Sequence, residues 1–222
     1  KREVSLFDIC QIQNDENKFS NALAYFMLRQ EYRELWNEFF YSIDFKSKTK
    51  ISLGEKFTIT REEDSKINDD KVNAKNTPSG GRIDLMIRTS NALVVIENKI
   101  KSDVNSISED GDNSNQLNRY YNYANWLATK KDSADYAKER YFIILTPKYN
   151  IPNLNEDMKE IYKIVTYEDL YSFLTLRKNK FEQDRNFVAF YDAMYRHTLE
   201  NVNDYMYYEM QEKFFRRIIQ NQ

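Results

Sequence analysis

Residues that could form covalent cross-links or a zinc site are almost absent from this sequence. Its 222 residues include one cysteine, Cys10, and one histidine, His197. A single cysteine cannot close an internal disulfide, and reduced thiols are typical of the cytoplasm, where we expect this protein to reside. A zinc site built from thiolates and imidazoles of one chain is excluded as well. Any metal would therefore be bound by oxygen, which favours magnesium, manganese or calcium.

Glycine, long apolar runs and an excess of one charge are also lacking. The four glycines form no loop that could hold a phosphate, so an NTPase is not expected. No apolar run approaches the roughly 20 residues of a transmembrane helix. The formal net charge of −2 argues against a dedicated nucleic-acid binder with a basic surface over the whole domain. It leaves a nuclease open, because an acidic metal site would offset basic residues elsewhere.

The periodicity of apolar residues predicts an α/β protein. A helix over 16–30 and a short second helix precede a strand at 55–63 and a hairpin at 80–100. A polar, mobile loop over 101–115 and a helix over 115–131 follow, then the strands "RYFIILTP" and "IYKIVTY". This order predicts a mixed sheet of four or five strands flanked by helices. We expect a core over residues 1–166 and an α-helical extension over 167–222 packed on it, with helices near 167–176, 184–199 and 204–219.

The hairpin "GGRIDLMIRTSNALVVIENKI" contains charged residues among its apolar ones. A two-residue turn at positions 90 and 91 would place Asp84 directly opposite Glu97, with Cβ atoms roughly 4.5–5.5 Å apart. Because side chains alternate along a strand, Asp84, Glu97 and Lys99 would share one face. The other face, which we expect in the core, would carry these apolar residues: Ile83, Leu85, Ile87, Val94 and Ile96.

Two carboxylates at that separation repel each other unless a cation lies between them or one takes up a proton. One interpretation is a half-solvated face on which Lys99 neutralises a surface acid, since surface ion pairs are common and weak. The other is a divalent cation bound by Asp84 and Glu97 with the lysine beside it. That arrangement is typical of phosphodiester cleavage, in which metal and ammonium stabilise the charge that develops.

Asp84, followed after twelve residues by Glu97, Asn98 and Lys99, resembles the motif of the PD-(D/E)xK nuclease superfamily, which has the restriction-endonuclease-like fold. The segment "ENKFSNALAYFM" resembles the first helix of a bacterial subgroup, in which an acid at the helix start, here Glu16, joins the active site.

The segment "NQLNRYYNYA" is similar to the "QL-x-RY" helix of the same subgroup. This similarity places Gln116 and Tyr120 near the site. For Tyr120 alone, core packing with a satisfied hydroxyl is the simpler interpretation. Ile83 stands where the superfamily motif has proline, which is a minor departure.

The resemblance implies metal binding by Asp84, Glu97 and the Asn98 carbonyl. It also implies a catalytic role for Lys99, with Glu16 and Gln116 completing the site. Mg²⁺ or Mn²⁺ would be the cofactor and DNA a better candidate substrate than RNA, with defence against foreign DNA as the expected role. A homodimer stays open. The alternative is a nuclease-like fold kept as a binding or assembly module without catalysis.

Overall fold

The computed structural model describes residues 15–45, 50–67, 81–100 and 116–198. The loop predicted over 101–115 and the helix predicted over 204–219 lie outside these residues. Within them, no helix has the length and apolar character needed to cross a membrane. The helices are α1 (Glu16–Leu28), α2 (Arg33–Ser42), α3 (Gln116–Thr129), α4 (Glu156–Ile161), α5 (Tyr167–Thr175) and α6 (Arg185–Tyr195). The strands are β1 (Thr58–Asp64), β2 (Arg82–Arg88), β3 (Ala92–Asn98), β4 (Glu139–Thr146) and β5 (Tyr162–Thr166).

The five strands form one mixed sheet in the order β1-β2-β3-β4-β5. The first three strands pair antiparallel, whereas β3, β4 and β5 pair parallel. A parallel neighbour of β3 requires a crossover connection, and α3 lies within it. The structure therefore confirms the predicted mixed sheet flanked by helices and the restriction-endonuclease-like fold class, and it places the "RYFIILT" strand parallel to β3.

The sheet separates two hydrophobic clusters. The α1-side cluster contains Leu85 and Val94 from the hairpin together with apolar residues of α1, α2, α5 and α6. The α3-side cluster contains Met86 and Val95 together with apolar residues of α3 and α4. Because alternate strand residues face opposite sides, both faces of the hairpin are buried, which explains its near-continuous apolar run. Helices α5 and α6 thus pack in the same cluster as α1; a domain boundary at residue 166 stays a prediction.

Side-chain caps fix where the helices nearest the site begin. The Asp15 carboxylate accepts a hydrogen bond from the Lys18 main-chain N–H at 3.1 Å, so Glu16 becomes the first residue of α1. At the end of β5, Thr166 and Asp169 form a reciprocal capping box that starts α5 directly after the strand. These caps hold Glu16 and Tyr167 at fixed positions beside the end of β3.

The hairpin has the predicted register, with pairs from Arg88–Leu93 to Leu85–Ile96. The face predicted for Ile83 is wrong, because this residue packs in the α3-side cluster and not with Leu85. The register of β1 places Glu62 opposite Asp84, and Glu62 has φ of 49°. This left-handed conformation, uncommon for a residue with a side chain, coincides with the change of face in both strands.

Candidate active site

Five side chains named from the sequence lie around the end of β3. Glu97 is the next-to-last residue of β3, and Lys99 is the first residue after this strand. Asp84 lies near the start of β2. Glu16 is the first residue of α1, and Gln116 is the first residue of α3. The fold therefore brings together the termini of two helices and two strands at one edge of the sheet.

The two carboxylate oxygens of Glu97 have different surroundings. Gln116 Nε2 donates to Oε1 at 2.7 Å, and Lys99 Nζ lies 2.9 Å from the same oxygen. Oε2 is buried and has no hydrogen-bond partner in the part of the chain that the structure describes. Burial and the neighbouring Asp84 charge raise the pKa of Glu97 to about 8. A fully buried carboxylate with one bare oxygen is costly unless a cation or proton satisfies it.

The Asp84 carboxylate is directed toward the main chain of β3. Its Oδ2 accepts a hydrogen bond from the Asn98 N–H at 2.8 Å. If the antiparallel pairing continued, the Asn98 N–H would donate to the Ile83 carbonyl. The Asp84 carboxylate therefore replaces a main-chain acceptor where β2 and β3 separate. Burial raises the pKa of Asp84 to about 6, although the Asn98 N–H and the Lys99 charge oppose the rise.

Asn98 links three elements through its side chain. Its Nδ2 donates to Ser20 Oγ at 2.9 Å and to the Glu16 carbonyl at 3.3 Å, while the Tyr167 hydroxyl donates to its Oδ1. The Asn98 side chain therefore has a structural role. The main-chain carbonyl of Asn98 is left as the oxygen that could bind a metal ion. The Lys99 N–H bonds to β4, so by strand alternation the Asn98 main chain is directed toward β2 and Asp84. Neither Ser20 nor Tyr167 was predicted.

Glu16 and Lys99 add opposite charges to the site. Glu16 Oε1 accepts a hydrogen bond from the Ile100 N–H at 2.8 Å, and its charge also raises the pKa of Asp84. Burial favours a lower pKa for Lys99, but the Glu97 carboxylate outweighs it and the pKa is raised. The lysine therefore stays protonated at neutral pH.

The donor set suits a hard divalent ion bound by few protein ligands. Among the described residues, no group of three or more His, Cys, Asp or Glu side chains converges on a metal position. Two carboxylates and a main-chain carbonyl remain, from Asp84, Glu97 and Asn98. Oxygen donors and a small protein ligand count are typical of Mg²⁺, which keeps several of its waters. The bare Oε2 of Glu97 is the atom that fits this interpretation best.

Tyr120 supports the site from the core. Its side chain is fully buried. Its hydroxyl donates a hydrogen bond to the Arg82 carbonyl and accepts one from Gln116 Nε2 at 2.9 Å. This confirms core packing with a satisfied hydroxyl. The Arg82 guanidinium is itself exposed and lies 3.9 Å from Glu62, not beside the carboxylates of the site. Tyr120 and Gln116 thus connect the start of β2 to Glu97.

A side chain at position 81 would crowd the Tyr120 ring. A Cβ at position 81 would lie 3.1 Å from Tyr120 Cε1 and 3.2 Å from its hydroxyl oxygen. We expect Gly81→Ala to lower the free energy of unfolding by about 1–3 kcal/mol, because the buried ring has little room to move. It should also weaken the support of Gln116 and reduce any activity. Denaturant unfolding checks the first effect, and an unchanged midpoint would contradict it.

Comparison with protein families agrees with this geometry. The family model described as the PD-(D/E)XK nuclease superfamily matches residues 4–196. No curated protein and no solved structure gives a significant match.

Proposed function

Because the match over residues 4–196 shows that this chain belongs to the PD-(D/E)XK nuclease superfamily, we propose that it is an active, metal-dependent nuclease that hydrolyses phosphodiester bonds. Nuclease activity and a divalent metal are what the superfamily suggests. The proposal adds catalytic competence of this chain, Mg²⁺ or Mn²⁺ as the ion, and DNA as the substrate.

One observation carries the proposal of competence. The Glu97 carboxylate is fully buried beside Asp84, with Oε1 held by Lys99 and Gln116 and Oε2 bare. A purely structural ion pair would be expected to satisfy both oxygens. A buried oxygen left bare beside a second acid is instead what a ligand-binding role requires.

We assign the roles from these contacts. Asp84, Glu97 and the Asn98 carbonyl would hold the ion, which when bound supplies a water of lowered pKa and charge neutralisation at phosphate. The Asn98 N–H holds the Asp84 carboxylate in place, and Gln116 orients Glu97. The Lys99 ammonium, 2.9 Å from Glu97 Oε1, would orient the attacking water and stabilise the charge that develops on the phosphate. Glu16 adds negative charge at the rim of the site.

The proposal extends to the setting of the reaction. DNA is preferred to RNA through the resemblance of the chain to a subgroup of restriction-endonuclease-like proteins, and a role in defence against foreign DNA follows the same resemblance. The single cysteine, Cys10, supports a cytoplasmic location. A homodimer is compatible with the proposal but not required by it.

A direct assay tests the proposal. The protein is incubated with plasmid, single-stranded DNA and RNA, each with Mg²⁺, Mn²⁺ or EDTA, alongside Asp84→Ala. We expect cleavage with a metal, none with EDTA, and loss of cleavage in the variant. A wild type that binds nucleic acid without cleaving it under any of these conditions would favour the alternative of an inactive binding or assembly module.

A further inference from the structure

Two arginines on the flank of the sheet differ from four other arginines of the described chain. Arg29, Arg82, Arg88 and Arg177 each lie within ion-pair distance of a carboxylate. For Arg33 and Arg61, by contrast, no carboxylate lies within 4 Å among the described residues. The Nε atom of each is buried and has no hydrogen-bond acceptor there.

Arg61 lies on one face of β1, and Arg33, the first residue of α2, lies against an aromatic ring on that same face. Arg61 pairs in register with Leu85, so its side chain is on the α1 side of the sheet, one position from the partner of Asp84. Phe57 and Ile59 lie on the same face and pack against the α1-side cluster. The Arg33 guanidinium carbon lies 5.8 Å from the centre of the Phe57 ring. Positions 57 and 61 are roughly 13 Å apart by strand rise along the outermost strand, and Arg61 is the nearer of the two arginines to the site.

Arg61 is close enough to the site for its charge to act on Asp84. Burial raises the pKa of Asp84, and the Arg61 charge is among those that oppose the rise. The guanidinium is nevertheless not in contact with that carboxylate. It is thus placed beside the acidic centre with its buried Nε donor unused, which is an unfavourable arrangement for a half-buried arginine without a ligand.

We propose that Arg61 and Arg33 bind phosphates of the nucleic-acid strand that enters the site along β1. A guanidinium donates two parallel hydrogen bonds to one phosphate, which fits donors that no carboxylate occupies. Arg61 holds the phosphate nearer the scissile bond, and Arg33, lying on Phe57, holds a more distant one. Contacts of this kind position the strand and are independent of base sequence. The inference rests on the proposed nuclease function, because it assigns the strand path of the same site.

Binding in EDTA separates this role from catalysis. Fluorescence anisotropy is measured with labelled oligonucleotides over a salt series for wild type, Arg61→Gln, Arg33→Gln and Arg61→Lys. Each glutamine variant is expected to weaken affinity about tenfold, equally for different sequences. It should also reduce the slope of log affinity against log salt by about 0.7–0.9, the change for one lost phosphate contact. The lysine variant keeps its charge and should keep the slope while losing part of the affinity.

Arg177→Gln is the matched control. It removes the same charge from an arginine whose Nε donates to Glu38 at 2.6 Å. The affinity of this variant for the oligonucleotide and its salt slope should therefore stay at wild-type values. Thermal unfolding of each variant shows whether it is folded. If Arg61→Gln is not folded, Arg33→Gln still tests the proposal.

Several outcomes would overturn the inference. If wild type cleaves or binds nucleic acid and the Arg61 and Arg33 variants match it in affinity and slope, the strand path is wrong while the nuclease function stands. Equal losses in Arg177→Gln would show a dependence on net charge alone and also overturn it. A wild type that neither binds nor cleaves any nucleic acid overturns the inference and the proposed function together.

Discussion

Replacing Lys99 by Ala is expected to reduce the cleavage rate about a hundredfold or more while leaving divalent-ion affinity intact. The ammonium stabilises charge that develops only during the reaction, so its loss acts on the rate. The coordinating oxygens of Asp84, Glu97 and Asn98 remain, and removal of a nearby positive charge can only favour a cation. Calorimetric Mg²⁺ titration and a cleavage time course on the same preparation separate the two effects. Asp84→Ala, which removes a ligand, should weaken both together.

Lys138→Ala is the matched control for Lys99→Ala. Its Nζ lies 2.8 Å from Asp135, and the side chain is about as buried as that of Lys99. Lys138 precedes β4, whose first residue pairs with the first residue of β3, at the opposite end of the sheet from the site. It should lose a comparable amount of stability and keep full cleavage. If both variants lose cleavage equally, the effect of Lys99 is one of folding and the catalytic assignment fails.

The metal-free protein is expected to lose stability as pH rises from about 4.5 to about 8. The pKa of Glu97 is raised from 4.5 in its ordinary state to about 8 by burial and by Asp84. Between these values the folded state holds a proton that the unfolded state has released, so the free energy of unfolding falls with increasing pH. Asp84, with its pKa raised to about 6, contributes in the same direction at lower pH. The combined loss should be on the order of a few kcal/mol.

Glu97→Gln tests the origin of this pH dependence. The amide has nearly the shape of the protonated acid, so the variant should lose much of the decline between pH 5 and 8 and melt at a higher temperature than wild type at pH 8. Glu182→Gln, which changes an exposed acid, should retain the wild-type profile. Saturating Mg²⁺ should raise the stability of wild type at pH 8 and not that of Glu97→Gln. A wild-type profile that is flat from pH 5 to 8 would contradict the burial of a bare carboxylate.

The hairpin shows how much of the site could be predicted from local sequence. A two-residue turn and the period of two fixed its register, and that register brought Asp84 toward Glu97. The face of Ile83 could not be predicted in this way. It coincides with a left-handed backbone at Glu62 on the neighbouring strand, and no glycine at that position signals it.

Contacts that join distant parts of the chain were the other limit. Ser20 and Tyr167 bind the Asn98 side chain across 78 and 69 residues of sequence. The sequence around each of them contains no pattern from which the contact could be predicted. The short helix α4 was also missed, since its six residues are too few to show a helical period. Glu16 and Gln116 were identified only through the resemblance to a known family.

The links of the Asn98 side chain have a consequence for synthesis of the protein. Its partners are provided by α1, near the start of the chain, and by Tyr167, which is made about 150 residues later. A nascent chain that ends before β5 has its acidic residues but lacks the Tyr167 hydroxyl that donates to the Asn98 side chain. Chains are made from the N-terminus at about 5–20 residues per second, so Asp84 and Glu97 are made some seconds before Tyr167. If the chain has the proposed nuclease activity, we expect that activity only after Tyr167 has been made, which would protect the nucleic acid of the cell that makes it.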